Sequence, residues 1–392
     1  MHFEDSPEEA ELRAKARSWL EAHAPRRGEP GDFTTDTEHE QAFSDACRAW
    51  QRVLHDGGWA GLTWPVDHGG HGLSPAFEHI FQEEQMAFGV STATLQVGLG
   101  MVAPTIVGHG TEAQKARFLP PMLRGEQSWC QLFSEPGAGS DLAGLSTAAR
   151  RNATDDGWVV DGQKVWTSYS RFSDFGILLA RTDPDAPKHH GISCIALDMS
   201  TPGIEVRPIR QLNGAAEFSE VFFTDVAVPD DCVIGPVDEG WRVAMTTLTN
   251  ERGLVGNDWP GYAEMLVVAR ERGLDRDPVV RQRLVEQYTG EQLLRFFGYR
   301  MQTALSQGES FGPLASSVNL FFADHLRRSA DLGLALLGAG ALAAGDDAPG
   351  AGMWQFHFLT APSVRIASGT DEIQRNSLGE RALGLPREPR SP

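Results

Sequence analysis

The feature that most constrains the fold is a change of pattern in the middle of the chain. Between about residue 129 and Pro236, short runs rich in β-branched and aromatic residues are separated by turn formers such as Asp183-Pro184. No helical segment separates these runs, so the pattern predicts an antiparallel sheet or barrel and argues against a parallel nucleotide-binding sheet. The six runs are Trp158–Val160, Val165–Thr167, Phe175–Ala180, Ile192–Leu197, Ile204–Ile209 and Val221–Val228.

Helical segments flank this β-rich region on both sides. The first part of the chain shows no strand alternation, and a helical period returns after Pro236. We therefore expect an α+β protein with three domains: an N-terminal α-helical domain (1–128), a middle β domain (129–236) that forms an antiparallel barrel or sandwich, and a C-terminal α-helical domain, a four-helix bundle (237–392). Because clefts favour domain junctions, a ligand site is expected where the β domain meets the helical domains.

The charge balance excludes several classes of partner. The chain has 34 Lys and Arg against 53 Asp and Glu, a net charge of −19. Such a surface repels phosphate backbones and anionic lipids, so neither nucleic acid nor membrane is expected as a partner. The longest apolar stretch, 332–345, is short and rich in glycine, and the acidic N-terminus does not resemble a signal peptide.

The cysteines agree with a reducing compartment. Four cysteines lie far apart without a Cys-x-x-Cys pair, so they predict neither a disulfide framework nor a zinc site. His68 and His71 lie in a glycine-rich loop without a third ligand pattern, and no metal is expected. We therefore expect a cytoplasmic protein.

Three segments could carry chemistry, and the first is the glycine-containing loop from Ser134 to Asp141. Its small residues let the backbone approach a ligand and offer N–H groups to an anion, although an ordinary turn explains the pattern equally well. The GxxxxGK[ST] and GxGxxG fingerprints are absent. No glycine follows Ser140 two residues later, so a hydrolase nucleophile elbow has little support.

The other two segments lie around Trp166 and Thr370. Trp166 and the hydroxyl residues after it could stack on a planar ring and bind its polar edge, but a core tryptophan is the simpler explanation. Ser368–Asn376 has the pattern of a helix start, where Thr370 could cap the helix or hold a phosphate.

Taken together and in this order, the segments make the chain resemble the acyl-CoA dehydrogenase family from end to end. Chance agreement at so many ordered positions is very improbable. The matching elements are Trp64-Pro65 with Gly69, Gly70, Gly72 and Leu73; Glu83-Glu84; Gly110-Thr111 with Gln114-Lys115; Glu135–Asp141; Gly162–Trp166; Gly369–Asn376; and Leu383–Arg387.

The resemblance implies an FAD enzyme acting on an acyl-CoA thioester. Members remove the α-proton with a carboxylate while the β-hydrogen leaves as hydride to the flavin, and they form dimers or tetramers. The matching positions would be Phe133 and Ser134 on the flavin ring, partly through backbone; Trp166 against the ring; Ser168 near its reactive nitrogen; Thr370 at the FAD phosphates; and Ser140 at the CoA moiety.

The catalytic base departs from the best-known members. They carry glutamate where this chain has Ser368, and serine cannot serve as this base, although its backbone N–H could still donate to the thioester oxygen. Other members place the base on the first long helix after the β domain, directly before an arginine. Glu251 occupies that position here.

An argument from the residues supports Glu251 independently. In a helix over Trp241–Val255, Ala244, Leu248, Glu251 and Val255 share one face. A carboxylate inside an apolar stripe is costly to bury and is therefore a candidate for a functional site. The alternative is a solvated glutamate, or one paired with an arginine.

Two elements that help to bind FAD in the family are altered. The Arg-x-x-Phe-Gly segment is missing, and Arg281 or Arg272 is the nearest candidate for its arginine. The Gln-x-x-Gly-Gly-x-Gly element appears as 335–340, which keeps Gly338 but lacks the glutamine. Some bacterial members, several of them acting on sterol side-chain thioesters, are heterotetramers that divide such motifs between two chains. We therefore expect a homo-oligomer or a heterotetramer with a related chain.

Three functional hypotheses follow from the resemblance. The leading one is an FAD-dependent acyl-CoA dehydrogenase with Glu251 as base and electron-transfer flavoprotein as acceptor. The second is a non-catalytic or motif-sharing subunit, and the third is a flavin oxidase or monooxygenase on the same fold. The displaced base favours branched or bulky acyl groups, as in fatty acid or sterol side-chain metabolism.

Overall fold

A computed structural model describes residues 5–34, 40–251, 259–306, 315–343 and 348–387. The chain forms two compact units. The larger unit contains Glu4–Gln211 and Ala215–Leu254, and the smaller contains Met1–Phe3, Leu212–Gly214 and Val255–Pro392. Within the described ranges, every helix is too short or too polar to cross a membrane.

Five helices begin the larger unit. Thr111 caps the last of them through a capping box with Gln114, whose side chain also donates to the Val233 carbonyl at 2.8 Å. The Gly-Thr-x-x-Gln element of the sequence is thus a helix start tied to the sheet domain. The helices are α1 (Pro7–His23), α2 (Glu40–Asp56), α3 (Pro75–Gln85), α4 (Ala103–His109) and α5 (Glu112–Leu123).

Eight strands form one sheet after these helices. They are β1 (Trp129–Leu132), β2 (Ala148–Arg151), β3 (Gly157–Ser168), β4 (Phe175–Arg181), β5 (Ile192–Asp198), β6 (Ile204–Ile209), β7 (Phe218–Pro229) and β8 (Val233–Ile234). Their order is β6-β7-β3-β2-β4-β5-β8, and β1 pairs with β4 off this path. Most neighbouring strands are antiparallel, which confirms the predicted class of sheet.

The barrel expectation was wrong in one respect, because the sheet is open, with β6 and β8 at its ends. The pairs of β4 with β1 and with β2 are parallel. A parallel pair needs a long connection, and the more than 40 residues between β1 and β4 supply one. Two predicted runs, Trp158–Val160 and Val165–Thr167, belong to the single strand β3.

Helix α6 (Gly240–Glu251) belongs to the larger unit and packs against its sheet and helices. Val243 and Ala244 are fully buried in a core shared with the sheet and with α4. The hydroxyls of Thr247 and Thr105 lie 3.0 Å apart across this interface. The same helix also packs on a π-helical turn, Val97–Val102, so its position is fixed by both apolar and polar contacts.

The smaller unit is helical, as predicted. Its central helix is α9 (Ala315–Leu337), which packs against each of the other four helices. Leu332 and Leu336 of α9 are buried against Trp354 and Met265. Gly333 lets the Trp354 ring approach, because a Cβ there would lie 2.0 Å from it. The helices are α7 (Tyr262–Glu271), α8 (Pro278–Ser306), α9 (Ala315–Leu337), α10 (Met353–Val364) and α11 (Asp371–Ser377).

Candidate functional site

Trp166 has a left-handed backbone conformation within β3. Its φ is +62°, and the register of β3 against β7 shifts between Lys164 and Thr167. A non-glycine residue in this region costs about 1–3 kcal/mol and persists only where its surroundings impose it. The shift turns the indole out of the sheet, and Trp166 is 59% exposed. Strain that exposes a large aromatic ring indicates a binding surface.

The loop that follows β1 lies against this part of β3. The Val165 N–H donates to the Ser134 carbonyl at 2.9 Å, and the Lys164 ammonium donates to the Phe133 carbonyl at 2.9 Å. The structure therefore brings the predicted residues Phe133 and Ser134 next to Trp166. Phe133 is buried, and Ser134 is half-buried.

Glu135 fixes the loop through hydrogen bonds to its carboxylate. Its carboxylate accepts hydrogen bonds from the Lys164 ammonium at 2.8 Å, the Ser146 N–H at 2.6 Å and the Thr147 N–H at 2.9 Å. Burial alone would raise the pKa of Glu135, but the charge of Lys164 and these hydrogen bonds outweigh burial and lower the pKa to about 2. Burial lowers the pKa of Lys164, while Glu135 opposes that shift. Both residues lie within the matching motifs, although the sequence pattern assigns neither of them a role.

The remaining predicted residues of the larger unit lie at its surface or near it. Ser168 ends β3 and is half-buried, and Ser140 is exposed. A Cβ built on Gly137 or Gly139 meets nothing within 4 Å, so open space surrounds this loop. The Asp141 carboxylate next to Ser140 is paired with Lys188.

Glu251 is the last described residue of α6. Ala244 is fully buried and Leu248 is half-buried against the core, so the predicted apolar face exists over this part of the helix. Glu251 is half-buried on the same face. Val255, the fourth predicted member of that face, lies outside the described residues.

In the smaller unit, Ser368 and Gly369 form a tight turn before α11. Both have positive φ, +54° and +94°. The buried Gln374 amide donates to the Ser368 carbonyl at 2.8 Å and holds the turn. The Thr370 hydroxyl accepts from the Ile373 N–H at 3.3 Å, so Thr370 caps α11 as predicted.

The structure also bears on the altered FAD elements. Gly338 and Gly340 lie beside Arg272, because a Cβ on Gly340 would lie 3.1 Å from its guanidinium. Arg281 is exposed in the first turn of α8. Of the two arginines considered, Arg272 is thus the one that lies on the glycine segment.

One matching motif, Glu83-Glu84, supports the fold and leaves the candidate site untouched. The guanidinium of Arg13 on α1 contacts both carboxylates of this pair on α3, at 2.9 Å and 3.1 Å. Arg17 adds a second contact to Glu84.

In the described part of the chain, no three His, Cys, Asp or Glu side chains form a cluster that could hold a metal.

Comparisons with known proteins agree with this architecture. Three family models match: the acyl-CoA dehydrogenase N-terminal domain over residues 6–126, the middle domain over 130–226 and the C-terminal domain over 238–383. The acyl-CoA dehydrogenase IpdE1 of Mycolicibacterium smegmatis is 36% identical over 96% of this chain and 98% of its own length.

Two solved structures are similar along the whole chain. The Tcur3481-Tcur3483 steroid ACAD gives a TM-score of 0.84 at 27% identity, covering 99% of this chain and 100% of that one. The ChsE4-ChsE5 complex from Mycobacterium tuberculosis gives 0.82 at 28% identity, with coverage of 99% and 100%. The chain belongs to the acyl-CoA dehydrogenase family and is an FAD-dependent oxidoreductase.

Proposed function

We propose that the chain catalyses the α,β-dehydrogenation of an acyl-CoA thioester, with Glu251 as the base that removes the α-proton. The observation that carries the proposal is the strained, exposed Trp166 beside Ser134, a surface suited to a planar cofactor. The open space around Gly137 and Gly139 fits the same cofactor.

In the larger unit, Phe133, Ser134, Trp166 and Ser168 would contact the ring system of FAD. In the smaller unit, Thr370 would contact FAD phosphates. Gly338 with Arg272 or Arg281 would bind the remaining part. When bound, FAD supplies the hydride acceptor that no side chain can provide.

Glu251 is suited to proton abstraction by its place on α6. Apolar packing holds the rest of that face, so the helix that carries the half-buried carboxylate is fixed in place. Ser368 would donate its backbone N–H to the thioester oxygen, where the charge of the enolate develops. Ser140 would contact the CoA moiety.

The partners and the acyl group are also part of the proposal. One similar structure is the ChsE4-ChsE5 complex, and another is the Tcur3481-Tcur3483 steroid ACAD. We therefore favour a bulky acyl group of the sterol side-chain type, and a homo-oligomer or a heterotetramer with a related chain. Electron-transfer flavoprotein is the proposed acceptor.

The first test is the visible absorption spectrum of the protein purified alone. A flavin spectrum near one FAD per chain, bleached by a bulky acyl-CoA, is the expected result. Glu251→Gln should retain the flavin and lose about 10²–10⁴-fold in kcat/KM, because a neutral amide cannot accept the proton. The control is Glu239→Gln, which alters an exposed carboxylate at the other end of α6 and should leave the rate unchanged.

Other outcomes would select the competing functions. Full activity of Glu251→Gln in a complex with a related chain would identify a non-catalytic subunit. Peroxide release coupled to turnover would identify a flavin oxidase.

A further inference from the structure

Lysine is rare in this chain, and one lysine is fully buried. Only four of the 34 Lys and Arg residues are lysines, and Lys164 has no exposed surface. Lys15, Lys115 and Lys188 form ion pairs that retain solvent exposure. A buried ammonium is costly unless it is fully paired. Lysine supplies a compact point donor, whereas arginine would bring a broad planar fork to the same space.

The contacts of Lys164 surround one residue of the candidate site. Its ammonium donates to the Phe133 carbonyl at 2.9 Å and to the Glu135 carboxylate at 2.8 Å, on either side of Ser134. The Val165 N–H donates a hydrogen bond to the Ser134 carbonyl at 2.9 Å. Three consecutive residues of the loop are thereby fixed to β3.

This arrangement determines the direction of the Ser134 N–H. In a planar trans peptide, the N–H of Ser134 points opposite to the Phe133 carbonyl, and so away from the Lys164 ammonium. Among the described residues, neither this N–H nor the Ser134 hydroxyl forms a hydrogen bond. The Ser134 N–H is therefore a rigidly held hydrogen-bond donor beside Trp166.

We infer that Lys164 and Glu135 are positioning residues for the flavin ring: they hold the Ser134 N–H as a preoriented donor without touching the ring. The inference rests on the proposed FAD site. Holding the donor before binding removes the cost of ordering the loop at the moment of binding, which increases affinity. Both charges of the ion pair are buried inside the sheet domain.

The wild-type protein provides the first test through amide hydrogen exchange. Without FAD, the Ser134 amide should exchange at least tenfold faster than the Val165 amide, whose hydrogen bond is internal. Saturating FAD should slow Ser134 at least tenfold and leave Val165 nearly unchanged. Equal protection of the two amides without FAD, or no response of Ser134 in a protein that binds FAD, would overturn the inference.

A double variant tests the ion pair itself. Lys164→Met with Glu135→Gln removes both charges at similar volume, so no unpaired charge remains buried. Its Kd for FAD should rise at least tenfold and its flavin absorption band should shift, measured well below its melting temperature. The control is Arg13→Met, which removes a partly buried ion-pair network of the same unit and should lower Tm without changing the Kd or the spectrum.

A double variant that binds FAD with the wild-type Kd and spectrum contradicts the inference. A wild-type chain that binds no FAD would defeat the proposed function first. The positioning role is then judged without cofactor, because the double variant should exchange its Val165 amide at least tenfold faster than the wild type. An unchanged Val165 rate would overturn it. If the double variant does not fold, the wild-type exchange pattern decides.

Discussion

Trp166 and Ser368 are both non-glycine residues with left-handed φ, yet the molecule supports them in different ways. The segment around Trp166 rests on a buried ion pair between Lys164 and Glu135. The turn at Ser368 rests on a neutral amide, Gln374, that is 1% exposed. Each unit thus holds one strained residue of the predicted site, Trp166 with a charged support and Ser368 with a neutral one.

The two supports differ in the free energy that is lost when one partner of the interaction is removed. A buried charge that loses its partner keeps its full desolvation penalty, whereas a lost neutral hydrogen bond leaves a smaller one. The charged support also depends on protonation, and the neutral support does not. These two consequences can be measured separately.

The largest effect is expected for Lys164→Met as a single change. The Glu135 carboxylate would remain buried without a cation, so the free energy of unfolding should fall by about 3–5 kcal/mol. Urea unfolding followed by tryptophan fluorescence measures the loss. Adding Glu135→Gln should recover part of it, and no recovery would show that the ion pair is not the origin of the effect.

The pH dependence should separate the two supports. The pKa of Glu135 is lowered to about 2 from an ordinary value of 4.5, so its contribution is complete above about pH 4.5 and is lost as the pH falls towards 2. Stability between pH 6 and 3 should therefore decline less steeply in the Lys164→Met/Glu135→Gln variant than in the wild type. Gln374→Ala should keep the wild-type slope, because an amide does not titrate in this range.

A smaller loss is expected for Gln374→Ala. The Ser368 carbonyl would lose its partner, so the free energy of unfolding should fall by about 1–3 kcal/mol. Chemical denaturation provides the measurement. A loss as large as that of Lys164→Met would show that the charged support is not the stronger one.

The smallest effect should be stabilising. Ser368→Gly removes the Cβ at φ +54° and should raise the free energy of unfolding by about 1 kcal/mol. Its backbone N–H is retained, so the flavin spectrum should not change. Ser368→Ala keeps the Cβ and serves as the control; equal stability of the two variants would argue against strain at this turn.

The sequence predicted most of the fold and part of the candidate site. The α+β class and the strands β4 to β7 follow from β-branched and aromatic runs. β1, β2 and β8 were not predicted, because β1 and β2 have four residues each, β2 reads Ala-Ala-Arg-Arg and β8 has two residues. The pairing of β1 and β2 with β4 is decided by tertiary packing, which a local pattern does not contain.

In the candidate site, the motifs predicted Ser134 and Trp166 but gave Lys164 no role. Its burial depends on Glu135, which is 29 residues away, and on the register shift that places Lys164 and Val165 both inside. Strict strand alternation would have put one of the two outside. The available signal was compositional: a chain that uses arginine almost everywhere retains lysine here.

The scarcity of lysine has a practical consequence for chemical labelling. Besides the amino terminus, an amine-reactive reagent has only four side chains to modify, and Lys164 has no surface accessible to it in the native state. Mass spectrometry of the intact protein would therefore show modification of Lys164 as a separate, slow addition. The rate of that addition reports how often the loop over β3 opens, so the labelling of this single amine measures local unfolding.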